Sequence, residues 1–302
     1  MTPDLSEDLM NSPIDKGITI LIKSGVLFWL AGLISWLYHH GYGPTDLIEL
    51  INSTSKSVLI VTILSIIIII AIISNILSRF DTVVIRILEG YYLPKWIANI
   101  WTKWQNKRIE LKQQRFQELA KKYYKGLPPL SRSEQAEYAD LDWQLMYIPQ
   151  PEQRLPTKLG NLLRAIESRP GEKYGLNIFI CWPRFWLILP ESVKTELTTA
   201  RANLETTARI WLWGLLFVIW TPYTYWAIAI SIITIILAYR WMLQAAGTYG
   251  QLIESSFDLY RHQLYKQLRW QLPTNPVEER QQGEKLTAYL WRGSEDEKLK
   301  LI

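Results

Sequence analysis

Few residues of this sequence combine a reactive side chain with the spacing that catalysis or metal binding requires. The chain holds one cysteine, Cys181, and three histidines, His39, His40 and His262. Adjacent residues on a helix point in different directions, so His39 and His40 make a poor chelating pair. Cys181 lies between two large apolar residues, a setting typical of an inert buried thiol. We therefore expect no catalytic residue, no metal site and no bound cofactor.

The signature motifs of common enzyme classes are absent from the sequence. It contains no G-x-x-x-x-G-K-[ST], G-x-G-x-x-G, H-E-x-x-H or G-x-S-x-G. Carboxylate pairs such as Asp140/Asp142 and Glu278/Glu279 fall on the polar faces of predicted helices, where they are ordinary surface charges. An enzyme is thus the least favoured hypothesis. It would act at a membrane surface on a phosphate-bearing substrate, with Arg184 as the anchor for the phosphate.

Three short segments in the middle of the chain carry glycine, proline and large aromatic residues close together. They are LPTKLGN at 155–161, EKYGLN at 172–177 and WPRFW at 182–186. Gly160 falls inside a predicted helix, where glycine costs about 1 kcal/mol relative to alanine, so it predicts a close approach of another backbone. We interpret the segments as a structural knot, the meeting point of three short elements. Its predicted members are Gly160, Asn161, Tyr174, Trp182, Arg184 and Trp186.

Arg184 is the member of this knot on which a functional hypothesis would depend. It lies among Trp182, Phe185 and Trp186, which we expect to bury its aliphatic stem. There a guanidinium can stack on a ring, pair with a buried carboxylate or meet a lipid phosphate. The structural interpretation is favoured over a ligand site, because no general base or nucleophile accompanies Arg184.

The strongest pattern in the chain is an uncharged, isoleucine-dominated stretch at residues 57–78. A helix of that length crosses a hydrocarbon core of about 30 Å. Residues 17–38 form a second predicted span, whose only charge, Lys23, lies near enough to one end to reach the interface. The two spans predict a transmembrane hairpin closed by a loop at 39–56.

A second predicted hairpin surrounds the turn formed by Thr221, Pro222 and Tyr223, with arms at 210–220 and 226–239. Each arm has about 12 to 16 strictly apolar residues, fewer than the roughly 20 of a usual span. The arms either just cross a thin bilayer or form a re-entrant hairpin. Both options return the chain to the side from which it entered.

The distribution of charge predicts the orientation of the chain. Residues 79–209 hold 21 Lys or Arg against 14 Asp or Glu, and basic residues beside spans favour the cytoplasmic side. The sequence therefore predicts a mostly α integral membrane protein with four transmembrane helices in two hairpins, a helical cytoplasmic region and both termini in the cytoplasm. Its predicted segments are a polar tail at 1–16, hairpins at 17–78 and 210–241, and cytoplasmic helices at 79–209 and 242–302.

Residues 95–125 predict a long helix with nine basic and two acidic residues and a stripe of tryptophan on one face. Such a helix suits the headgroup layer of anionic lipid. A helix packed on its own domain, with a solvated basic back, is the open alternative. Nucleic acid is disfavoured as a partner, because membrane proximity already explains the charge. The predicted lipid or anion contacts are Lys95, Trp96, Trp101, Lys103, Trp104, Lys107, Arg108 and Arg184.

Local signals predict several helix boundaries. Capping residues predict helix starts at Ser131, Thr157 and Asn275. The helix after Thr157 is predicted to end near Glu167, in a turn formed by SRPGEKYG. Pro183 predicts a break in the apolar segment 177–189, with an extended or single-turn piece before it and a short helix after it.

The segments LPTKLGN, EKYGLN and WPRFW, together with LPESVKTEL and YGQLIESSFDLYRHQLYKQLRWQLP, resemble an uncharacterised family of bacterial multi-span membrane proteins. The resemblance covers roughly residues 155–293. It implies a bacterial origin, and so the bacterial inner membrane, together with a shared architecture. It implies no activity, substrate or catalytic residue.

The function that we expect is that of a membrane-anchored scaffold or effector, whose cytoplasmic helices bind partners or self-associate. Its partners would be the bilayer, anionic lipid in particular, and either a second copy of the chain or a cytoplasmic protein. The alternative is an oligomeric channel or pore lined by the polar residues of the spans, which are Ser65, Ser74, Asn75, Ser231 and Thr234. A transporter is disfavoured, because the predicted spans hold no buried acid or histidine relay.

Overall fold

The computed structural model describes residues 25–125 and 130–293, which are mostly helical and contain no strand. The described helices are α1 Val26–His39, α2 Pro44–Ser53, α3 Lys56–Ser78, α4 Asp81–Glu89, α5 Lys95–Lys125, α6 Arg132–Met146, α7 Lys158–Tyr174, α8 Ile178–Ile188, α9 Glu191–Leu216, α10 Trp226–Gln267 and α11 Pro276–Arg292. Short 3₁₀ turns lie at Pro151–Gln153 and Phe217–Trp220.

Three helices begin at the capping residues that the sequence analysis identified. At the start of α6 the Ser131 hydroxyl accepts the backbone N–H of Glu134, and the Glu134 carboxylate accepts the backbone N–H of Ser131 at 3.0 Å. Thr157 Oγ1 accepts the N–H of Gly160 at 2.9 Å before α7, and Asn275 Oδ1 caps α11 in the same way. Each contact satisfies a backbone donor that the first helical turn leaves unpaired.

Helix α7 is longer than the sequence predicted. It runs through Pro170 to Tyr174 instead of ending near Glu167, and Gly175 ends it in the left-handed conformation with φ at 71°. Proline removes one helical N–H and crowds the carbonyl four residues earlier. Burial of Pro170 itself, and the bond from the Leu176 N–H to the Pro170 carbonyl at 3.2 Å, offset that cost.

The break predicted at Pro183 is also wrong, because α8 is one helix that contains this proline. Asn177 Oδ1 accepts the N–H of Phe179 at 3.0 Å and starts the helix. Cys181 and Phe185 lie on its inner face and are fully buried. This packing stabilises the helix more than the single missing backbone bond weakens it.

The predicted loop at 39–56 contains a helix as well, α2. Pro44 occupies its first position, which suits a residue without an N–H and with a fixed φ. Asp46 Oδ2 accepts the N–H of Gly43 at 2.7 Å, so the carboxylate lies in the first turn, where the helix dipole favours it. The segment GYGPTD at residues 41–46 therefore starts a helix inside the predicted loop.

The described residues divide into two units. The first contains residues 25–85 and 204–242, and the second contains 86–125, 130–203 and 243–293. The first unit includes the described parts of both predicted hairpins. The predicted polar tail at 1–16 and the start of the first predicted span, with Lys23, lie outside the described residues.

Two of the described helices, α3 and α10, are long and apolar enough to cross a membrane. Only 6 % of the most apolar 18-residue window of α3 is buried. A core helix of a water-soluble protein would hide such a surface, because exposed apolar area of this size is unfavourable in water. The corresponding window of α10 is 22 % buried. Helix α3 coincides with the span predicted at 57–78.

Aromatic side chains and glycines pack the first unit. Phe28 of α1 contacts Trp213 and Phe217, with ring centroids 4.8 and 5.9 Å apart. A Cβ at Gly25 would collide with the Trp213 ring, and one at Gly32 would collide with the Trp220 ring. Gly25 caps the start of α1 and Gly32 lies within it, so each glycine leaves the space that one indole ring fills.

Ion pairs and stacked rings hold the second unit together. Arg169 of α7 lies 2.6 Å from the Glu254 carboxylate of α10, and Lys173 lies 2.8 Å from the same carboxylate. The Phe185 ring of α8 stacks on Phe257 of α10 with centroids 4.3 Å apart. Where α11 crosses α7, a Cβ at Gly283 would collide with a backbone carbonyl, so only glycine permits this approach.

Candidate functional site

The C-terminal half of α5, residues 109–125, is packed against α6. Its buried residue Leu119 lies in a cluster with Leu130 and Leu141. The Phe116 ring stacks on Tyr138 with centroids 4.9 Å apart. The packed-helix alternative therefore describes this half of the helix.

Basic residues of the same half pair with carboxylates of α6. Arg115 donates two hydrogen bonds to Glu137, each 2.9 Å long. Lys122 lies 2.8 Å from Glu134. The Lys122 ammonium, followed by the backbone bond at the helix cap, lowers the pKa of Glu134 to about 2. The positive charge of this half is thus partly neutralised within the chain.

The N-terminal half of α5, residues 95–108, is mostly exposed. Trp96 is 68 % exposed, and Trp101 and Trp104 are about half exposed. Large apolar side chains rarely stay this open to water unless they meet another surface. We call this surface the aromatic–basic face. Its residues are Trp96, Ile100, Trp101, Lys103, Trp104, Lys107 and Arg108.

The aromatic–basic face mixes rings and cations on one side of the helix. At 100° per residue Trp96, Lys103, Lys107 and Trp104 lie within an arc of about 100°, and the remaining members widen it to about 160°. The Arg108 guanidinium lies 4.0 Å from the centroid of the Trp104 ring. Among the described residues no carboxylate forms an ion pair with Lys103 or Lys107.

This arrangement is chemically suited to the interface of an anionic bilayer. Tryptophan places an apolar ring and a polar N–H at the headgroup level, and each nearby Lys or Arg is worth about 1 kcal/mol toward anionic lipid. Seven of the eight predicted lipid-contact residues lie in α5, and six of them are on the aromatic–basic face. Lys95 lies at the first position of the helix and outside the arc.

The eighth predicted contact, Arg184, does not fit the structural interpretation, and its contact with lipid stays a prediction. The side chain is exposed, and its guanidinium donates to the Ile180 carbonyl of its own helix at 2.8 Å. The expected burial of its stem by neighbouring rings is wrong, because Phe185 faces the core while Arg184 faces outward. Arg184 therefore has neither a buried carboxylate partner nor a cradle for a phosphate among the described residues.

The remaining members of the predicted knot lie at separate places. At Gly160 a Cβ would collide with the Glu89 carbonyl, so the expected close backbone approach is present. Asn161 Oδ1 accepts the Leu155 N–H at 2.7 Å beside it. Tyr174 lies at the other end of α7, about 21 Å along the helix, and its hydroxyl donates to Asp258.

Trp182 and Trp186 pack against each other on α8, with centroids 5.8 Å apart, and Trp182 also contacts Phe257. Five of the six residues therefore form three separate structural contacts and not one knot, and Arg184 belongs to none of them. The prediction ended α7 about two turns too early.

Two half-buried glutamates that the sequence did not single out lie near each other in the second unit. Burial, and then repulsion from Glu167, raise the pKa of Glu89 to about 7. Burial raises the pKa of Glu167 too, against the opposing effect of Arg164, whose guanidinium lies 3.5 Å away. Thr157 Oγ1 donates to the backbone carbonyl of Glu89 at 3.0 Å and fixes α4 against the start of α7.

The residues with the most reactive side chains are unremarkable in the structure. Burial raises the pKa of the Cys181 thiol, and its Sγ lies 3.7 Å from Thr287 Oγ1. His40 Nδ1 lies 2.8 Å from the Trp36 carbonyl of its own helix. In the described part of the chain no three His, Cys, Asp or Glu side chains are placed to hold a metal ion.

Two of the polar residues predicted to line a pore serve internal packing. The Ser231 hydroxyl is buried and donates to the Gly214 carbonyl at 2.7 Å. Thr234 fills the space above the same glycine, where a Cβ would collide with it. Ser65 and Asn75 are exposed on α3. Within the first unit, therefore, the polar residues of α10 hold helices together.

Comparison of the chain with protein-family models, with curated proteins and with solved structures finds no match. The resemblance to a family of bacterial membrane proteins stays a prediction. What the chain does is therefore inferred from its own residues.

Proposed function

We propose that this protein is a membrane-anchored scaffold whose helical second unit lies on an anionic bilayer surface through the aromatic–basic face of α5. The spans would hold the chain in the membrane, and the α5 face would set the orientation of the remaining helices for partners or for a second copy. No catalytic step is part of this proposal.

The anchor is supported by the apolar surfaces of the first unit. Helix α3 is apolar on every side and almost unburied, which suits a segment solvated by lipid. We propose four crossings, at α1 with the residues before it, α3, residues 210–220 and the start of α10. The excess of Lys and Arg in residues 79–209 favours the cytoplasm for that region and for both termini, in a bacterial inner membrane.

The surface contact is supported by the aromatic–basic face, which is the observation that carries the proposal. Its tryptophans are exposed, and its lysines have no carboxylate partner in the described chain. A bilayer interface supplies both missing partners, an apolar boundary for the rings and phosphates for the cations. A pore is less well supported, because Ser231 and Thr234 are used in packing.

Reporter fusions test the anchor and its orientation. A fusion after Asn52 should report the side opposite to the cytoplasm, and one after Tyr147 should report the cytoplasm, because one proposed crossing, at α3, separates them. A fusion after Arg292 should agree with the one after Tyr147 whether the second hairpin spans or is re-entrant. If the fusions after Asn52 and Tyr147 reported the same side, the proposed topology would be wrong.

A further inference from the structure

A groove of about 640 Å³ lies in the second unit among α5, α6, the start of α7 and α10. Of the residues that form the aromatic–basic face, only Arg108 lines this groove. Its lining residues are Gln105, Arg108, Ile109, Leu111, Lys112, Trp143, Gln144, Tyr147, Ile148, Lys158, Asn161, Leu162 and Leu243.

Three cations, Arg108, Lys112 and Lys158, converge on this groove, and none of its described lining residues is acidic. Burial, and then repulsion from Lys158 and Arg108, lower the pKa of Lys112, while Asp140 opposes the shift from outside the lining. The Lys112 ammonium donates to the Gln144 side chain. Three like charges held this close leave the groove with a positive field that an anion would relieve.

The start of α7 adds to that field. Lys158 is the first residue of this helix, and Asn161 and Leu162 of its first turns also line the groove. The N-terminus of a helix carries a partial positive charge and unpaired backbone N–H groups. This end of α7 therefore acts in the same direction as the three side-chain cations.

Tyr147 lines the groove with its ring and not with its hydroxyl. The side chain is 8 % exposed, and the hydroxyl has no contact with solvent, so it does not open onto the groove. The three cations alone would therefore hold the charged group of an anion.

The apolar part of the lining indicates that the anion belongs to an amphiphile. Of the lining residues, Ile109 is buried, and Leu111 and Trp143 are each about half exposed. A free phosphate would leave these side chains against water. A glycerol backbone and the start of an acyl chain would cover them and remove apolar area from water.

We propose that this groove is a discrete binding site for one anionic phospholipid. Arg108, Lys112 and Lys158 would hold its phosphate, and the apolar walls would cover the adjoining glycerol and acyl carbons. The site goes beyond the surface contact of α5, because it binds one lipid molecule with defined stoichiometry and needs no intact bilayer.

Native mass spectrometry of the full chain in detergent tests this site. We expect wild-type protein to retain one added phosphatidylglycerol molecule and to bind phosphatidylcholine of the same acyl chains at least tenfold more weakly. Inorganic phosphate should compete only at concentrations far above those of the lipid, because it cannot use the apolar walls. Competition by phosphate at lipid-like concentration would show a simple anion site and overturn the proposal.

Three variants make the test specific. Lys112→Gln with Lys158→Gln should weaken phosphatidylglycerol binding about tenfold or more. Tyr147→Phe should leave it unchanged, because the hydroxyl that it removes does not open onto the groove. Lys103→Gln with Lys107→Gln, on the aromatic–basic face, should leave it unchanged.

The control separates this proposal from the surface contact. Equal losses in the control and in the Lys112/Lys158 variant would show non-specific attraction to basic residues and would overturn the discrete site. A Tyr147→Phe protein with much weaker lipid affinity would show that the phosphate reaches the buried hydroxyl, and would overturn its assigned position at the three cations. The surface contact could still hold in both cases, since it depends on other residues.

Discussion

The two halves of α5 carry similar numbers of basic residues but use them in different ways. Residues 109–125 place Arg115 and Lys122 against carboxylates of α6 and bury Leu119 between the helices. In residues 95–108 the tryptophans are exposed, and no carboxylate of the described chain pairs with Lys103 or Lys107. The difference follows from the partner available in the chain, because Glu134 and Glu137 of α6 pair with residues of 109–125 and Leu141 packs with Leu119.

The comparison shows that composition alone does not tell whether a basic amphipathic helix is a packing element or an interaction surface. Where the chain supplies both the counter-charges and the apolar cover, the helix is structural. Where the described chain supplies neither, we propose that a bilayer interface does, through its apolar layer and its anionic headgroups.

The largest effect is expected for the buried contact of the C-terminal half. Leu119→Ala should destabilise the protein by about 3 kcal/mol, because Leu119 is fully buried and its removal leaves a cavity between α5 and α6. Trp104→Ala removes a larger side chain but an exposed one, and should cost less than about 1 kcal/mol. Thermal unfolding of both variants in the same detergent measures the difference. Equal destabilisation would mean that the N-terminal half is packed as well.

Glu89 differs from Glu134, because no basic side chain of the described residues forms an ion pair with it. The raised pKa of Glu89, about 7, means that its ionisation opposes folding. The stability that the neutral form contributes is fully present below pH 4.5 and is lost as pH rises toward 7. Wild-type protein should therefore lose up to about 3 kcal/mol of stability from this group between pH 4.5 and 7.

Glu89→Gln should remove this loss and make the melting temperature less dependent on pH over the same interval. The matched control is Glu110→Gln, which neutralises an exposed glutamate of α5 and should leave the pH dependence of the wild type in place. Melting temperatures at pH 5 and pH 8 are sufficient for the test. Parallel curves for the wild type and Glu89→Gln would show that Glu89 is not buried as described.

The smallest effect is expected for the ion pairs of the C-terminal half. Arg115→Gln combined with Lys122→Gln should lower the melting temperature by only a few degrees, because these side chains are about 40 % exposed and solvent screens their pairs. The depressed pKa of Glu134 gives the opposite sign from Glu89, since its pairing stabilises above pH 4.5 and is lost as pH falls toward 2. The variant should therefore approach the wild type in stability at low pH.

The sequence predicted the helices whose signals are local. Capping at Ser131, Thr157 and Asn275 depends on contacts within a few residues, and the apolar length of α3 is visible directly. The prolines were misjudged, because the packing that lets α8 continue through Pro183 comes from Phe257, far along the chain. Local rules describe the cost of such a proline but not what offsets it.

The candidate sites show the same difference between local signals and contacts of distant residues. The aromatic–basic face was visible because its residues repeat on one helix. The groove and the Glu89–Glu167 pair were not, since each brings together residues from helices that are distant in sequence. Lys158 did carry a weak signal, because a basic residue directly after the Thr157 cap predicts positive charge at a helix start.

The contact between the aromatic–basic face and lipid is the central claim, and residue-resolved oxidation of tryptophan tests it most directly. Hydroxyl-radical footprinting of the full chain in nanodiscs should show Trp96, Trp101 and Trp104 oxidised severalfold less in anionic than in zwitterionic lipid. High salt should reduce the difference by screening the lysines. Trp291, which is 65 % exposed on α11, should be oxidised equally in both lipids. Equal oxidation of the α5 tryptophans in both lipids, at the level of Trp291, would contradict the account.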